Sequence, residues 1–428
     1  MLVVEENPLI MNFFEEHGLR LPATEEKAVK AFVYGLLVNE RASVKHVAEN
    51  TVRGQSERQM NRILHRLSAR ARDMLLYNLR SLQTIPSLAI RPKGVIALDE
   101  HVIPKTGKEI EGVDYFYSTT HNKEILGLSM ITTHYYGGPF EYPLDCLLYR
   151  RPQELERRHH SERYVPKNEL ARQLIQEYHA MGFPCKTWVM DSYFMTKENV
   201  KLLSSLGYFY VSKIKRNWVV TYQRKRWKVE ELYEDIAESE FEHVEVTNPK
   251  TKEKRHYLMA HRDVFVPKIG VQRVLFLREV MRDTSGKYYP KYKKGWTGLV
   301  SNMLNERPKG IIQAYLKRWT IETSYRDESQ ELHLKGCMFR NIEGQYCFII
   351  LVFLAYRLLT WAARLGLLSP YHPDVDTLGK KRAAFRRFHE EVFGAWITSL
   401  KEECKACKMA RVIYTLIHGG DPHAIDSF

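Results

Sequence analysis

One short stretch, Tyr315-Leu-Lys-Arg318-Trp319-Thr-Ile-Glu322-Thr-Ser-Tyr325-Arg326, concentrates side chains that could do chemistry. In a helix predicted over residues 307 to 331, a rotation of about 100° per residue puts Tyr315, Arg318, Glu322, Arg326 and Ser329 on one face. A helix that only packed on a core would show aliphatic residues there. This one shows a phenol, two guanidiniums and a carboxylate, groups suited to holding a divalent cation while gripping a phosphodiester. The same spacing suits an i,i+4 ion-pair ladder on a solvated face, so the choice depends on the rest of the chain.

Two further acids close apolar strand runs. Residues 94 to 99 form a short buried strand ending in Asp99, and residues 187 to 191 form another ending in Asp191. Side chains at strand ends leave the sheet and can converge. Around them the pattern predicts strands at 114–119 and 125–134, a loop rich in Arg and His (149–164), a helix at 168–181, a helix at 196–206 and a strand at 208–214. Residues 215–295 alternate in aromatic and basic segments around an acidic, solvated patch at 230–245, as expected of an inserted, mostly β subdomain. The strand at 296–302 returns to the main layer and leads into the reactive helix. Three carboxylates on rigid elements suffice to hold two divalent ions for phosphodiester cutting, and Mg²⁺ suits such oxygen ligands, with Mn²⁺ as its usual substitute.

The residues before this layer are helical in pattern. Ser43 and Ser56 are predicted N-caps on either side of a turn at Gly54, and the second helix presents Arg58, Gln59, Asn61, Arg62 and Arg66. This spacing fits a helix-turn-helix whose donors match base edges and phosphates, and it also fits a bundle with a charged face. Arg70, Arg72 and Arg80 are expected to extend the positive stripe. Lys plus Arg number 65 against 51 Asp plus Glu, so the average surface potential favours polyanions. The apolar run 347–356 is too short to span a bilayer and is expected as a buried helix. The first residues show no secretory leader and the six cysteines are sparse and irregular, so a cytoplasmic, reduced setting is expected. Cys404, Cys407, His418 and His423 approach zinc-finger spacing, but their central gap is short and no zinc is expected there.

Together these motifs make the chain similar to the DDE transposases of bacterial insertion sequences, specifically insertion sequence family 4 and its relatives with a Tyr-x2-Arg-x3-Glu-x6-Lys signature. The resemblance covers about residues 91–360 and rests on Leu98-Asp99-Glu100, Val189-Met-Asp191-Ser192 and Tyr315-x2-Arg318-Trp319-x2-Glu322. It implies an α/β, RNase H-like mixed sheet flanked by helices, with an inserted mostly-β subdomain. The expected domains are a helical DNA-binding domain at 1–88, a catalytic domain at 89–214 and 296–345, the insertion at 215–295 and a helical C-terminal region at 346–428. It implies Asp99, Asp191 and Glu322 as the catalytic, metal-binding triad. Tyr315 and Arg318 would contact phosphates, and Trp319 and Trp296 would stack a flipped base. The partner implied is double-stranded DNA, both element terminal inverted repeats and target DNA, with a dimer in the DNA complex and no membrane. The cell setting is bacterial or archaeal and nucleoid-associated. A metal-dependent nuclease with the same fold, or a non-catalytic DNA-binding descendant, would share parts of this pattern.

The signature departs at its last position, where Ser329 replaces Lys. Lys335 would lie about 160° around a continuing helix from Tyr315, out of reach. Arg326 is therefore expected to grip the DNA together with Arg318.

Overall fold

A computed structural model describes residues 2–3, 7–52, 54–118, 122–158, 162–248, 252–282, 288–291 and 295–403. The group Cys404, Cys407, His418 and His423 lies outside the described residues.

Four helices precede the first strand: α1 (Pro8–His17), α2 (Ala23–Val38), α3 (Val44–Glu49) and α4 (Glu57–Leu82). Both expected serine caps are present. Ser43 accepts from the His46 amide, and Ser56 forms a capping box in which Gln59 returns its side-chain oxygen to the Ser56 amide. Along α4, Met60, Ile63, Leu64, Leu67, Ala71, Met74 and Leu75 are buried at steps of three and four, so one apolar stripe faces the core. The opposite face carries exposed Arg58, Arg62, Arg66 and Arg70. Arg72 does not extend this stripe, because it turns inward to the carboxylates of Asp145 and Glu177.

The central layer is β1 (Val95–Pro104), β2 (Val113–Ser118), β3 (Lys123–Tyr136), β4 (Glu141–Tyr149), β5 (Thr187–Met190) and β6 (Phe209–Lys213), with α5 (Pro152–Arg157), α6 (Lys167–Ala180) and α7 (Lys197–Ser205) between strands. β7 (Val219–Tyr222), β8 (Lys225–Lys228), α8 (Val229–Glu234), β9 (Glu242–Thr247), β10 (Lys254–Val266), β11 (Gly270–Arg282) and β12 (Tyr288–Pro290) follow, before β13 (Thr297–Ser301). The sheet order is β2-β3-β1-β5-β6-β13-β11-β10-β7-β8, with β4 on β3, β9 on β10 and β12 on β11. β1 is antiparallel to β3 and parallel to β5, which is parallel to β6. This mixed α/β sheet is consistent with the RNase H-like expectation. Residues 215–295 are rich in strands as expected, yet they share the sheet: β13 pairs with β6 on one side and β11 on the other.

Two strand readings change. β1 continues five residues past Asp99, held by β3 alone after its parallel partner β5 ends. β4 fills the stretch between the strand expected at 125–134 and the loop expected at 149–164, to which the pattern assigned no element. The register slips between Thr133 and His134, and this bulge accommodates Pro143 on a strand paired only to β3.

The expected single helix over 307–331 is two: α9 (Pro308–Leu316) and α10 (Trp319–Glu331). At the junction the Lys317, Arg318, Thr320 and Ile321 amides bond three residues back, so the turn tightens through the signature itself. Last come α11 (Ile342–Arg364) and α12 (Leu378–Glu403). α11 is buried on every side from Cys347 to Ala362. Its length and apolarity would suit a membrane span, but 89% of its apolar window lies inside the protein, so it is a core helix. α11 packs on α2, α4, α12 and β4, and one hydrophobic core joins the N-terminal helices, the sheet and the C-terminal helices. The basic segment 380–387 is partly internal: Arg382 and Arg386 donate to carbonyls at the C-terminal end of α2, where a helix leaves its last carbonyls unmet.

Candidate active site

Register brings the first two acids together. Leu98 of β1 pairs with Met190 of β5 in parallel, so Asp99 and Asp191 follow side by side. Asp99 thus sits mid-strand, at the point where its neighbour stops and the sheet surface opens. Asp99 and His101, two apart on β1, share the face covered by α10. There the His101 ring stacks on Tyr325 at 4.2 Å, and the Tyr325 hydroxyl meets Thr132, the cross-strand partner of Asp99.

Arg318 is the centre of the cluster. Its Nη1 donates to Asp99 Oδ2 at 2.9 Å and its Nη2 to Glu322 Oε1 at 2.5 Å. The tightened helix junction gives it this reach, since Arg318 is the residue at which α10 begins. Burial pushes the Asp99 carboxyl up to about 7; Arg318 and the Glu100 amide oppose the shift, while Asp191 and Glu322 add to it. For Arg318 burial opposes the charge, but Tyr315, Asp99 and Glu322 hold the guanidinium firmly protonated. Tyr315 is pushed up to about 12, chiefly by burial. The Tyr315 hydroxyl and Arg318 Nε are buried without a hydrogen bond of good geometry.

No group of three His, Cys, Asp or Glu side chains among the described residues is gathered tightly enough to hold a metal ion as it stands. The donor set nonetheless fits one. Asp99, Asp191 and Glu322 are all oxygen donors, the latter two add to the charge cost of Asp99, and a cation, the Arg318 guanidinium, already bridges Asp99 and Glu322.

Beside this cluster opens a cleft of about 290 Å³ lined by Lys213, Arg255, Trp296, Tyr315, Arg318 and Trp319. The two tryptophans differ there. Trp319 is 52% exposed. Trp296 is stacked on Tyr233 at 4.5 Å and covered by the Arg216 guanidinium at 4.7 Å. Tyr233 and Arg216 were missed in the sequence, Tyr233 because its neighbours form an acidic run. The available signal was the apolar pair Val229 and Leu232, which buries one face of α8 and carries Tyr233 with it. That acidic run is exposed, as expected of a solvated patch, and two of its acids pair with arginines: Glu238 with Arg278 and Glu240 with Arg262.

Among the described residues, the other expected site residues form no ion pair with Asp99, Asp191 or Glu322. Arg326 is exposed, 3.6 Å from Asp327. Lys335 is closer to the cluster than a continuing helix allows. α10 ends at Glu331, His333 adopts a left-handed conformation (φ 58°), and the turn Leu334–Gly336 packs back on β1. Burial pushes His101 down to about 3 and the Lys335 charge adds to the shift. Arg58 and Arg62 are exposed on α4, Asn61 is half-buried, and the Gln59 oxygen is engaged in its capping box.

A sheet with two acids on adjacent parallel strands and a third on a following helix defines a class of nucleic-acid-cutting enzymes. The model of the DDE superfamily endonucleases matches residues 20–231, and that of the transposase DDE domain matches residues 158–358. The two matches overlap and run from the N-terminal helices into α11, and the chain belongs to the DDE transposases. No curated protein matches it. DNA is the partner of this family, and divalent metal ions are its typical cofactor.

Proposed function

We propose that this protein is a cut-and-paste transposase of the insertion sequence family 4 type, which binds element ends and cleaves and joins DNA strands at Asp99, Asp191 and Glu322. The observation that carries the reading is the convergence of Asp99 and Glu322 on Arg318, with Asp191 beside Asp99, at the mouth of a tryptophan-lined cleft. The three carboxylates would hold divalent ions, Mg²⁺ by preference. Such ions supply an activated oxygen nucleophile and relieve charge on the leaving oxygen.

The protein's own groups do the rest. Arg318 neutralises the acids while no phosphate is present, and its planar fork can then turn to phosphate oxygens. Tyr315 borders the same cleft with a free hydroxyl. Lys335 and Arg326 offer further cations around the scissile bond, in the role for which Ser329 has no charge. Trp319, half exposed beside Arg318, is the ring on which an unpaired base stacks, worth roughly 1–3 kcal/mol per base. Trp296, with Tyr233 and Arg216 against it, forms the wall of that pocket. We include a hairpin intermediate, in which the freed 3′ hydroxyl attacks the opposite strand while the displaced base stacks on Trp319. The helix-turn-helix of α3 and α4 grips the terminal repeats through Arg58, Asn61 and Arg62, with Gln59 as its cap. Two protomers meet when two ends are joined. The protein then works on the nucleoid in the cytoplasm.

The experiment is incubation with a plasmid carrying the native element, with Mg²⁺ or with EDTA, and mapping of the breaks. Metal-dependent cuts confined to the element ends support the reading. Cuts scattered along the plasmid favour a general nuclease.

A further inference from the structure

The β7–β8 hairpin, Val219–Tyr222 and Lys225–Lys228, takes no part in the site described above. Tyr222 pairs with Lys225, leaving Gln223 and Arg224 as a two-residue turn with φ of 48° and 62°. Positive φ at both central positions marks a type I′ turn, whose preferred residues are Asn and Gly because a side chain clashes there. This chain instead places Gln and Arg in the turn, and both are exposed.

Four cations, Arg224, Lys225, Arg226 and Lys228, stand on the hairpin, and no acid interrupts residues 218–229. Among the described residues no carboxylate pairs with Arg224, Lys225 or Arg226, while Lys228 lies 3.8 Å from Glu231. The Lys225 ammonium rests 3.7 Å from the centre of the Trp227 ring. β8 is the last strand of the sheet, and charged side chains on an open edge discourage pairing with other chains. Edge protection accounts for the strand lysines. It does not account for Arg224 and Gln223 in a turn that would be more stable without them.

The hairpin is fixed at its base. The Glu230 amide donates to the Arg216 carbonyl and the Val229 amide to the Trp218 carbonyl, and Arg216 lies over Trp296 in the wall of the cleft. A two-stranded ribbon fits the major groove of duplex DNA, and Arg and Gln carry donors for phosphates and base edges. We infer that the β7–β8 hairpin is a second DNA-contacting element, a ribbon that holds duplex beside the cleft through Arg224 and Arg226. This rests on the transposase reading for its ligand.

The test measures binding of a labelled duplex of mixed sequence over a salt series. Gln223→Asn with Arg224→Gly should raise Tm by about 1–3 °C, since the turn is relieved, yet lower the slope of log affinity against log salt by about 0.9. Arg226→Glu keeps the edge charged and should bind at least about tenfold more weakly. If both variants bind with the slope and affinity of the wild type, the hairpin is only a protected edge and the inference is wrong, while the transposase reading stands. If the wild type shows no salt-dependent duplex binding, the inference and the transposase reading fall together.

Discussion

At the scale of single residues, the charge balance of the site turns on Arg318. Its bond to Asp99 offsets the burial of that acid, its bond to Glu322 joins the two, and together they place a guanidinium where a phosphate must arrive. Arg318→Ala should lower cleavage by about 10²-fold or more, and Arg318→Lys should recover little of it, because a point charge cannot bridge two groups as a fork does. Near-normal cleavage by the lysine variant would remove Arg318 from the chemistry. A second residue bears on stability. Glu328 is buried, with Ser324 donating to it at 2.6 Å, and burial pushes its carboxyl up to about 8. Its folded pKa is above its unfolded one, so its contribution is full below about pH 4.5 and is lost as pH rises through about 8. Glu328→Gln keeps the acceptor and removes the proton. The variant should therefore gain Tm over the wild type between pH 6 and pH 8, and an equal pH dependence in both proteins would contradict the buried, protonated state. Residue types and spacing marked Asp99, Asp191, Glu322 and Arg318 as candidates, because chemistry leaves polar groups at periodic positions, while Trp319 and Trp296 entered through the family resemblance. They could not mark Tyr233 and Arg216, whose closeness to Trp296 depends on how the insertion folds.

Among the elements, the helix ends matter most. Extrapolating one helix through residue 331 put Lys335 out of reach, and the left-handed His333 that reverses the chain carries no glycine or proline to announce it. Lys335→Ala should slow cleavage by about tenfold or more if its ammonium holds a phosphate, with DNA binding little changed; an unaltered rate would leave that task to Arg326. The strand β4 had no counterpart in the sequence pattern, and Arg357 ties it to the helices around it. This fully buried guanidinium donates to the carbonyls of Leu75, Pro143 and Leu144 and to Asn78, so α4, α11 and the bulge of β4 meet on one side chain. Arg357→Met should cost about 3–5 kcal/mol in urea unfolding, because several carbonyls lose their donor at once. A loss below about 1 kcal/mol would mean that water replaces it. The serine caps of α3 and α4, by contrast, were legible, since capping is a local contest decided within four residues.

For the whole molecule, the sequence separated helical ends from a catalytic middle, but the core runs through all three. Local patterns predict elements well and say little about which distant faces share a core, as the all-round apolarity of α11 does here. Removing the N-terminal helices would expose α11, so end recognition is better tested by point changes. Arg58→Ala with Arg62→Ala should lower the salt slope of duplex binding by about 0.9 for each phosphate that the protein no longer neutralises. An unchanged slope would move recognition to another surface. The net charge of +14 makes some salt dependence expected of any duplex, so binding alone cannot decide the central claim. Cleavage can. The direct measurement is strand cutting of a labelled element-end duplex in Mg²⁺ by the wild type and by Asp99→Asn, Asp191→Asn and Glu322→Gln, with duplex affinity measured in parallel. All three variants are predicted to bind within a few-fold of the wild type and to cut nothing; cutting at the wild-type rate by any one of them would contradict the three-carboxylate site.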